Sequence, residues 1–369
     1  MKIACVHAQI KVGGADKRLI DLANALVRYG YEVVLYLMSN DNYYGYEIDS
    51  RIKVECIAKK RYVPKTQWFS NMISLRNKLK EDQIDLAISF LYPINIQLMI
   101  AKSGLDVKSI ISERGDPNRQ PEGGIWKLLR DRTYPKTNGI VYQTQGAREY
   151  YVNHLGLDGK VIHNPVDIGE LRAKPAGNCV IANIGLLEPH KNQHRLIYAF
   201  SEFAKTHSEY KLRICGDGYL KSELVGYAES LGVNEQIIWM GKVPNAHEEI
   251  LYDDFFVLSS DFEGMPNALM EAMALGMPCI STDCVPGGAR ELIRDGKNGL
   301  LSVLDSGVDL AEKMARLADD QLFAANLGRC AAQIKETHAS SCIYDQWKQY
   351  IEEVMGHAIE NNDPSFEGS

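Results

Sequence analysis

Two glutamates lie eight positions apart in the stretch DFEGMPNALMEAMALG, one before a predicted helix and one inside it. Pro266 suits the first helical position and Gly276 the position past the end, so the helix is predicted from Pro266 to Leu275. Helix N-termini attract anions, and carboxylates accept hydrogen bonds from hydroxyl groups. We therefore expect a diphosphate at the helix N-terminus, with Glu263 and Glu271 holding the two sugars of a sugar nucleotide.

The residues between the glutamates support this interpretation. We expect the N–H groups of the loop to face the ligand and the apolar side of the helix to pack inward. The predicted loop contacts are Gly264, Met265, Pro266 and Asn267, and the predicted inward residues are Leu269, Met270, Met273 and Ala274. An exposed helical glutamate is the alternative for Glu271 alone, but it does not explain the whole pattern.

Other glycine-bearing turns follow apolar runs, where doubly wound sheets bind their ligands. Gly13 and Gly14 precede the first predicted helix; without a GxGxxG pattern they give little support to a nicotinamide site, and a plain turn is the alternative. Gly216 and Gly218, after the run RIC, could face a base or ribose or serve only as turn residues. Val243 follows the run QIIWMG and is a further predicted donor contact.

The stretch GLLEPHKN supplies Gly185 and a cation, Lys191, at the predicted start of a helix. A positive charge there opposes the helix dipole unless an anion lies nearby. A bound diphosphate would offset that cost. For Lys191 alone, an ordinary surface lysine is the favoured alternative.

The elements that must position these residues alternate between strands and helices. Runs such as KIACVHA, EVVLYLM, IDLAISFL, KSIIS and GIVYQT alternate with helical stretches near 14–29, 68–80, 93–103 and 125–133. The pattern restarts at CVIANIG and continues through KLRICGDG, QIIWMG, FFVLSS and PCISTD. This alternation predicts an α/β fold with two successive units, each built on a parallel sheet.

The predicted boundary lies in the Pro- and Gly-bearing stretch HNPVDIGELRAKPAGN. We expect an N-terminal Rossmann-like, acceptor-side domain over 1–168 and a C-terminal Rossmann-like domain for the nucleotide-sugar donor over 169–340. A helix over 341–358 could return to the N-terminal domain. The polar residues 359–369 are expected to be disordered.

Composition indicates a globular protein of the cytoplasm. The chain has 369 residues, no apolar run long enough for a transmembrane helix, and an N-terminal apolar run too short for a signal peptide. Its eight cysteines form no CxxC pair, so buried reduced thiols are expected rather than disulfides or a metal site.

Charge is divided unevenly along the chain. Residues 1–170 hold 24 Lys and Arg against 19 Asp and Glu, a net charge of +5, and the rest holds 17 against 29, a net charge of −12. A basic half could meet a membrane surface or a phosphate-bearing acceptor, although chance differences between solvated faces are an equal alternative.

The stretch EGMPNALMEAMALGMPCIST resembles the E-x7-E signature of retaining glycosyltransferases of family 4. The stretches GGADKRLIDLANAL, VIHNPVD, GLLEPHKN, CGDG and PGGARELIRDGKNGLL resemble other elements of that family. SERGDP at 112–117 resembles a motif of enzymes that build bacterial surface polysaccharides. The resemblance implies a GT-B fold, in which two Rossmann-like domains face each other across a cleft.

The resemblance also implies an activity: metal-independent transfer of a hexose or N-acetylhexosamine from a nucleotide sugar, usually a UDP-sugar, with retained configuration. Glu271 would bind the ribose, Glu263 the donor sugar and Lys191 the leaving diphosphate, with Gly14 approaching the phosphates. The predicted catalytic residues are Glu263, Lys191 and Arg114. The predicted donor-binding residues are Gly14, Gly185, Lys191, Gly216, Gly218, Val243, Glu263, Gly264, Met265, Pro266, Asn267 and Glu271. The predicted acceptor-side residues are Glu113, Arg114 and Asp116.

Two departures from the family pattern bear on mechanism. Leu186 replaces a usual arginine, and Arg114 or Arg290 could substitute for the missing cation. Arg114 also stands near the position of a histidine that contacts the donor sugar in relatives. Neither Glu113 nor Asp116 is a convincing nucleophile, so we favour front-face displacement, in which the departing phosphate takes the acceptor proton. Among the histidines, His7 lies near a strand end and is a weak candidate, and His163 and His190 flank the expected cleft; a structural role is favoured for each.

For the acceptor, the resemblance favours a glycan or a polyprenyl-diphosphate-linked oligosaccharide in cell-surface polysaccharide assembly. A basic and aromatic cluster could touch an anionic membrane at the inner face of the plasma membrane, with a solvated loop as the alternative. It comprises Lys59, Lys60, Arg61, Lys65, Trp68 and Phe69. The acidic overall balance argues against nucleic acid as a partner.

Two other functions compete with an active transferase. One is a non-catalytic partner subunit with this fold, which Leu186 keeps open. The other is a sugar-nucleotide epimerase, against which the two spaced glutamates count.

Overall fold

The computed structural model describes residues 1–10, 14–39, 45–57, 67–121, 123–174 and 177–356. Several sequence predictions lie outside these residues, namely those on Gly13, on the four cations at 59–65 and on the tail at 359–369. Among the helices described, none combines the length and the apolar character needed to cross a bilayer.

The first part of the chain forms a sheet that contains seven parallel strands within the described residues. The strands are β1 (Lys2–His7), β2 (Glu32–Leu37), β3 (Lys53–Cys56), β4 (Leu86–Phe90), β5 (Lys108–Glu113), β6 (Gly139–Tyr142) and β7 (Lys160–Val161). Their order is β3-β2-β1-β4-β5-β6-β7. The register pairs Ile3 with Val33 on one side and with Leu86 on the other.

Helices connect most of these strands, because parallel pairing needs a crossover connection. They are α1 (Gly14–Arg28), α2 (Gln67–Glu81), α3 (Tyr92–Ala101), α4 (Gly124–Thr133) and α5 (Gln145–Leu155), with a 3₁₀ helix at Tyr134–Lys136. The predicted helices at 68–80, 93–103 and 125–133 are confirmed, with ends that differ by one or two residues.

Both faces of this sheet are buried. Ile3 and Cys5 of β1 belong to one apolar cluster, whereas Ala4 and Val6 belong to a second. Successive side chains of a strand point to opposite faces, so a strand covered on both sides must be apolar throughout. This explains why the runs in the sequence are continuous rather than alternating.

The second sheet contains six parallel strands within the described residues, in the order β10-β9-β8-β11-β12-β13. The strands are β8 (Val180–Ile184), β9 (Lys211–Cys215), β10 (Ile237–Gly241), β11 (Phe255–Leu258), β12 (Cys279–Thr282) and β13 (Leu300–Ser302). The helices are α6 (Gln193–Phe203), α7 (Lys221–Ser230), α8 (Ala246–Glu249), α9 (Asn267–Leu275), α10 (Gly288–Leu292), α11 (Gly307–Asp319), α12 (Gln321–Ala331) and α13 (Ile334–Thr337). Two 3₁₀ helices occupy Pro189–Lys191 and Asn234–Gln236.

The last described helix, α14 (Ser340–Met355), packs on the core of the first sheet. Its buried side chains include Tyr344, Trp347 and Ile351, at helical spacing. The Tyr350 hydroxyl accepts a hydrogen bond from the Ile140 backbone N–H at 3.0 Å.

The chain divides into two compact units. The first comprises Met1–Gln143, Ala147–Ile162 and the chain from Ser341 onward, and the second comprises Thr144–Gly146 and His163–Ser340. The domain limits expected from the sequence, at 168/169 and 340/341, stay predictions.

All eight cysteines are free, as predicted, but they are not uniformly buried. Cys5, Cys215, Cys279 and Cys284 are buried, whereas the other four are exposed or partly exposed. Burial raises the pKa of Cys5 to about 12, because an apolar interior disfavours the thiolate.

Candidate active site

The second sheet reverses its strand order between β8 and β11, and ligands of α/β sheets bind at such a switch point. From β8 the chain moves outward to β9 and β10, whereas from β11 it moves the other way to β12 and β13. The loops that leave β8 and β11 carry Lys191 and Glu263. The sheet topology therefore selects the same two loops that the sequence motifs indicated.

Lys191 and Glu263 form an ion pair between these two loops. The lysine Nζ contacts Glu263 Oε1, and the two side chains are 20% and 14% exposed. Ser260 Oγ donates a second hydrogen bond to the same carboxylate oxygen at 2.9 Å. A cation and a carboxylate that are distant in the sequence are thus held together at the carboxyl end of the sheet.

The local structure around Lys191 fixes its position. The residue ends the 3₁₀ helix Pro189–Lys191, and its carbonyl accepts a hydrogen bond from Ser259 Oγ at 2.8 Å. Asn192 follows in the left-handed region, with φ 46°, and its side chain caps α6 by accepting from the Arg195 backbone N–H. Glu263 offsets the cost of the cation, so a bound diphosphate is not needed to explain the charge of Lys191 at this helix start.

Further hydrogen bonds join the two loops. The Asp261 backbone N–H donates to the His190 carbonyl at 2.8 Å, and the Arg195 guanidinium lies 2.7 Å from Asp261. The His190 ring packs against Phe262, with centroids 5.1 Å apart. Burial, followed by the charge of Lys191, lowers the pKa of His190, so a neutral imidazole is favoured.

Gly216 and Gly218 bring a third loop close to the loop after β8. A Cβ atom on Gly216 would lie 1.8 Å from the Gly185 carbonyl oxygen, and one on Gly218 would lie 2.4 Å from the Leu187 carbonyl oxygen. Only glycine permits this approach. Backbone packing is therefore sufficient to explain both glycines, and their contact with a ligand stays a prediction.

Helix α9 begins one residue later than predicted. Pro266 is its N-cap, with an extended ψ of 95°, and provides no side-chain hydrogen bond to the helix end. The predicted inward residues Leu269, Met270, Met273 and Ala274 are all buried, and Gly276 ends the helix with φ 82°. Met265 and Pro266 are also buried, whereas Gly264 and Asn267 are partly exposed.

Glu271 lies inside α9 with its side chain 28% exposed, so the alternative of a freely exposed glutamate does not apply. Its carboxylate lies 3.9 Å from Nδ1 of His247, on the short helix α8. Val243 is partly buried against the same core cluster as α9. Asn267, at the start of α9, accepts a hydrogen bond from Asn164 Nδ2 at 2.9 Å.

Leu186, which stands where the family usually has an arginine, is 55% exposed, so this surface position carries an apolar side chain. Arg290, one suggested substitute, is 61% exposed and forms a two-point pair with Asp283, at 2.9 and 2.5 Å. Lys191 is thus a cation that was predicted from the sequence and that lies beside Glu263 in the structure.

In the first unit, Glu113 is buried at the end of β5. Its carboxylate accepts hydrogen bonds from Tyr134 at 2.5 Å, Tyr151 at 3.0 Å and Asn95 at 3.0 Å. Burial raises the pKa of Glu113, although these three hydrogen bonds oppose the shift. This environment suits a structural carboxylate, and the acceptor-side role of Glu113 stays a prediction.

Arg114 stacks on Phe90, with the guanidinium carbon 3.7 Å from the ring centroid, and its Nε donates to Ser112 Oγ at 3.1 Å. Burial, followed by the nearby charge of Arg18, lowers the pKa of Arg114 to about 9. Asp116 is buried and accepts a hydrogen bond from the Asn118 backbone N–H at 3.0 Å, which defines a local turn.

Gly14 is the first residue of α1, at the carboxyl end of β1. In the same region, His7 is buried and its Nε2 lies 2.8 Å from Asp16 Oδ1. The His7–Asp16 contact agrees with a structural role for this histidine. The contribution of Gly14 to phosphate binding stays a prediction.

The sequence did not lead us to the two serines next to the Lys191–Glu263 ion pair. Ser259 and Ser260 end the apolar run FFVLSS, and the Ser260 carbonyl accepts a hydrogen bond from Thr282 Oγ1 at 2.5 Å. Polar residues directly after a buried strand were the available signal. His247 gave no comparable signal, because its nearness to Glu271 arises only in the folded chain.

The two units together match the GT-B fold. Sucrose-phosphate synthase from Thermosynechococcus elongatus aligns with a TM-score of 0.84 at 13% identity, over 97% of this chain and 100% of that one. Anabaena HepE in complex with UDP aligns with a TM-score of 0.79 at 20% identity, over 96% and 100%. These likenesses confirm the predicted fold class of two Rossmann-like α/β units.

The chain belongs to glycosyltransferase family 4. The family model for Glycosyltransferase Family 4 matches residues 12–170, and the model for Glycosyl transferases group 1 matches residues 168–334. The chain is 31% identical over 365 residues to a Campylobacter jejuni enzyme, with 96% of this chain and 99% of that protein covered. That relative is named GalNAc-alpha-(1->4)-GalNAc-alpha-(1->3)-diNAcBac-PP-undecaprenol alpha-1,4-N-acetyl-D-galactosaminyltransferase.

Proposed function

We propose that this glycosyltransferase moves a hexose or N-acetylhexosamine from a UDP-sugar, with retained configuration, to a glycan or a polyprenyl-diphosphate-linked oligosaccharide. The observation that carries the proposal is the Lys191–Glu263 pair at the switch point of the second sheet. The undecaprenol-linked substrate in the relative's name and the UDP bound to HepE support the acceptor and donor classes. The setting would be bacterial cell-surface polysaccharide assembly, at the inner face of the plasma membrane.

In this proposal the second unit holds the donor. Glu271 accepts hydrogen bonds from the ribose hydroxyls, and Glu263 accepts them from the donor sugar. The N–H groups of the Gly264–Asn267 loop face the diphosphate, and Lys191 neutralises it as it leaves. On the first unit, Gly14 and Arg114 keep their predicted roles in donor and acceptor binding.

The transfer proceeds by front-face displacement. The acceptor oxygen forms its bond to the anomeric carbon on the face from which the diphosphate departs. As the carbon–oxygen bond to the diphosphate breaks, the acceptor proton passes to a phosphate oxygen. Lys191 and the N-terminus of α9 stabilise the negative charge that develops on the leaving group, so no metal ion is required.

Substitution Glu271→Ala tests the donor assignment. The variant should bind UDP more than about tenfold more weakly, because hydrogen bonds to charged groups contribute roughly 1.5–3 kcal/mol. Isothermal titration with UDP measures the affinity. Glu312→Ala, an exposed glutamate on α11 of the same unit, is the matched control and should bind UDP like the parent. Equal affinities for parent and Glu271→Ala would rule out the ribose assignment.

A panel of sugar nucleotides, assayed with and without EDTA, tests the activity itself. We expect nucleotide release from one or a few UDP-sugars, unchanged by EDTA. Loss of activity in EDTA would contradict the metal-independent mechanism. No turnover and no donor binding would favour the non-catalytic partner subunit.

A further inference from the structure

A histidine and a carboxylate face each other where helices α8 and α9 meet in the second unit. His247 lies on α8 and Glu271 on α9, and the distance from His247 Nδ1 to Glu271 Oε2 is 3.9 Å. The two side chains are 21% and 28% exposed. Within the described part of the chain, neither side chain takes part in a hydrogen bond. Both polar groups can therefore bond to a ligand without breaking a hydrogen bond of the protein.

Both side chains project from backbone that the core holds in place. Glu271 stands between Met270 and Ala272 on α9, and both of these residues are buried. On α8, Ala246 packs against the core cluster that contains α9, and Ile250, directly after α8, is buried within that cluster. The separation of the imidazole and the carboxylate is therefore set by the packing of α8 against α9.

This separation suits one bridging oxygen atom. A direct hydrogen bond needs about 2.7–3.2 Å between the heavy atoms, so 3.9 Å is too long. Other histidine–carboxylate pairs of the second unit are direct, such as His194 with Glu223 at 3.0 Å. A hydroxyl oxygen can lie about 2.8–3.0 Å from both atoms, and it can donate to the carboxylate while it accepts from an imidazole N–H.

We propose that His247 is a specificity-determining residue of the donor site, and that its Nδ1–H and the Glu271 carboxylate hold one ribose hydroxyl between them. The hydroxyl donates its proton to Glu271 and accepts a hydrogen bond from the imidazole. This inference rests on the proposed function, because there Glu271 faces the ribose. It adds a second protein partner for that sugar, so the site should select ribonucleotides against their deoxy analogues.

Isothermal titration with three nucleotides tests this selection. The probes are UDP, 2′-deoxyuridine diphosphate and 3′-deoxyuridine diphosphate. The parent should bind at least one of the two deoxy analogues about tenfold or more weakly than UDP, because that analogue lacks a hydrogen bond to the charged Glu271.

Substitution His247→Ala isolates the part that the imidazole plays. The variant should bind UDP about two- to tenfold more weakly, the loss expected for one neutral hydrogen bond. Its affinity for the analogue without the bridging hydroxyl should equal that of the parent, because the contact is already absent there. That analogue therefore identifies the hydroxyl. A merely structural role of His247 would lower the affinity for all three nucleotides alike.

Two further variants complete the experiment. In His247→Asn, the amide nitrogen can take the place of Nδ1 and donate the same hydrogen bond, so this variant should bind UDP like the parent. His194→Ala is the matched control, because it removes the histidine of a partly exposed pair with Glu223 on α6 and α7 of the same unit. It should bind all three nucleotides like the parent.

The outcomes separate this inference from the proposed function. Equal losses for the three nucleotides in His247→Ala, or no loss for any of them, would overturn the inference. If Glu271→Ala weakens UDP binding and His247→Ala does not, the proposed function stands and only the role of His247 is removed. Failure of the parent to bind UDP would instead contradict the proposed function, and this inference with it.

Discussion

Ser260 and Lys191 contact the same oxygen of Glu263, so the carboxylate is held from two sides. The serine is itself anchored, because its carbonyl accepts the hydrogen bond from Thr282 Oγ1 on β12. We therefore interpret Ser260 as a positioning residue that fixes the orientation of Glu263, which we propose contacts the donor sugar. A hydrogen bond of this kind, to a charged group, contributes about 1.5–3 kcal/mol.

Substitution Ser260→Ala should lower kcat by about ten- to a hundredfold and leave UDP affinity unchanged, as expected for the loss of one hydrogen bond to a charged group that we propose acts on the sugar. Steady-state kinetics with the active UDP-sugar, together with UDP titration, measure the two quantities. Ser230→Ala, at the exposed end of α7, is the control. A loss of UDP affinity without a change in kcat would contradict the positioning role.

At the scale of elements, the loop between the two glutamates is braced by a neighbouring helix. Gly288 begins α10, and a Cβ atom there would lie 2.1 Å from the Gly264 carbonyl oxygen and 3.0 Å from Pro266 Cδ. The Glu263 backbone N–H donates to the Val285 carbonyl at 2.9 Å, which holds the same loop from the other end. The conformation of the candidate donor loop thus depends on how closely α10 approaches it.

Substitution Gly288→Ala should displace this loop, weaken UDP binding and destabilise the protein by roughly 1–3 kcal/mol, because overpacking forces the backbone to shift. Thermal denaturation and UDP titration measure the two effects. The control is Gly226→Ala in α7, where an added Cβ meets nothing within 4 Å. That variant should gain about 0.4–1 kcal/mol of stability, since alanine restricts the unfolded chain. Unchanged UDP binding by Gly288→Ala would show that α10 does not determine the conformation of this loop.

At the scale of the whole molecule, a histidine pair lies close to the points where the chain passes between its two units. His163 is the first residue of the second unit after Ile162, and His338 lies near its end at Ser340. Nδ1 of His163 is 2.9 Å from Nε2 of His338, and the rings are stacked. Burial, followed by the charge of His163, lowers the pKa of His338 to about 4.

Acidification should therefore destabilise the second unit. An unfolded histidine takes up a proton near pH 6.5, whereas folded His338 resists protonation down to about pH 4, so stability falls as pH drops through this interval. Glu291 lies 3.7 Å from His163 and also faces the histidine pair. The pKa of Glu291 is lowered, chiefly by its hydrogen bond with His163. Thermal denaturation from pH 7 to 4.5 should show a shallower decline for His338→Gln than for the parent. An equally steep decline in both would exclude His338 as the source.

The sequence predicted the central strands and the edge strand β10, but it missed the edge strands β3, β7 and β13. Strands such as β4 and β11 are fully buried, and their continuous apolar runs mark them. β3 lies at the edge of its sheet with a partly exposed pattern, so its sequence, KVEC, carries no apolar run. Local hydrophobicity reports burial, and an edge strand is defined by a neighbour that lies far away in the chain.

For the candidate site, the amino-acid sequence by itself determined the residue types, the helix α9 with its glycine end, and the two glutamates on either side of its start. It could not determine that Lys191 contacts Glu263, that Ser260 shares the same oxygen, or that Gly216 and Gly218 serve the packing of backbones. Caps and periodicity act over a few residues, so they can be read along the chain. Ion pairs and close backbone contacts join distant residues, and only the order of strands in the folded sheet brings those residues together.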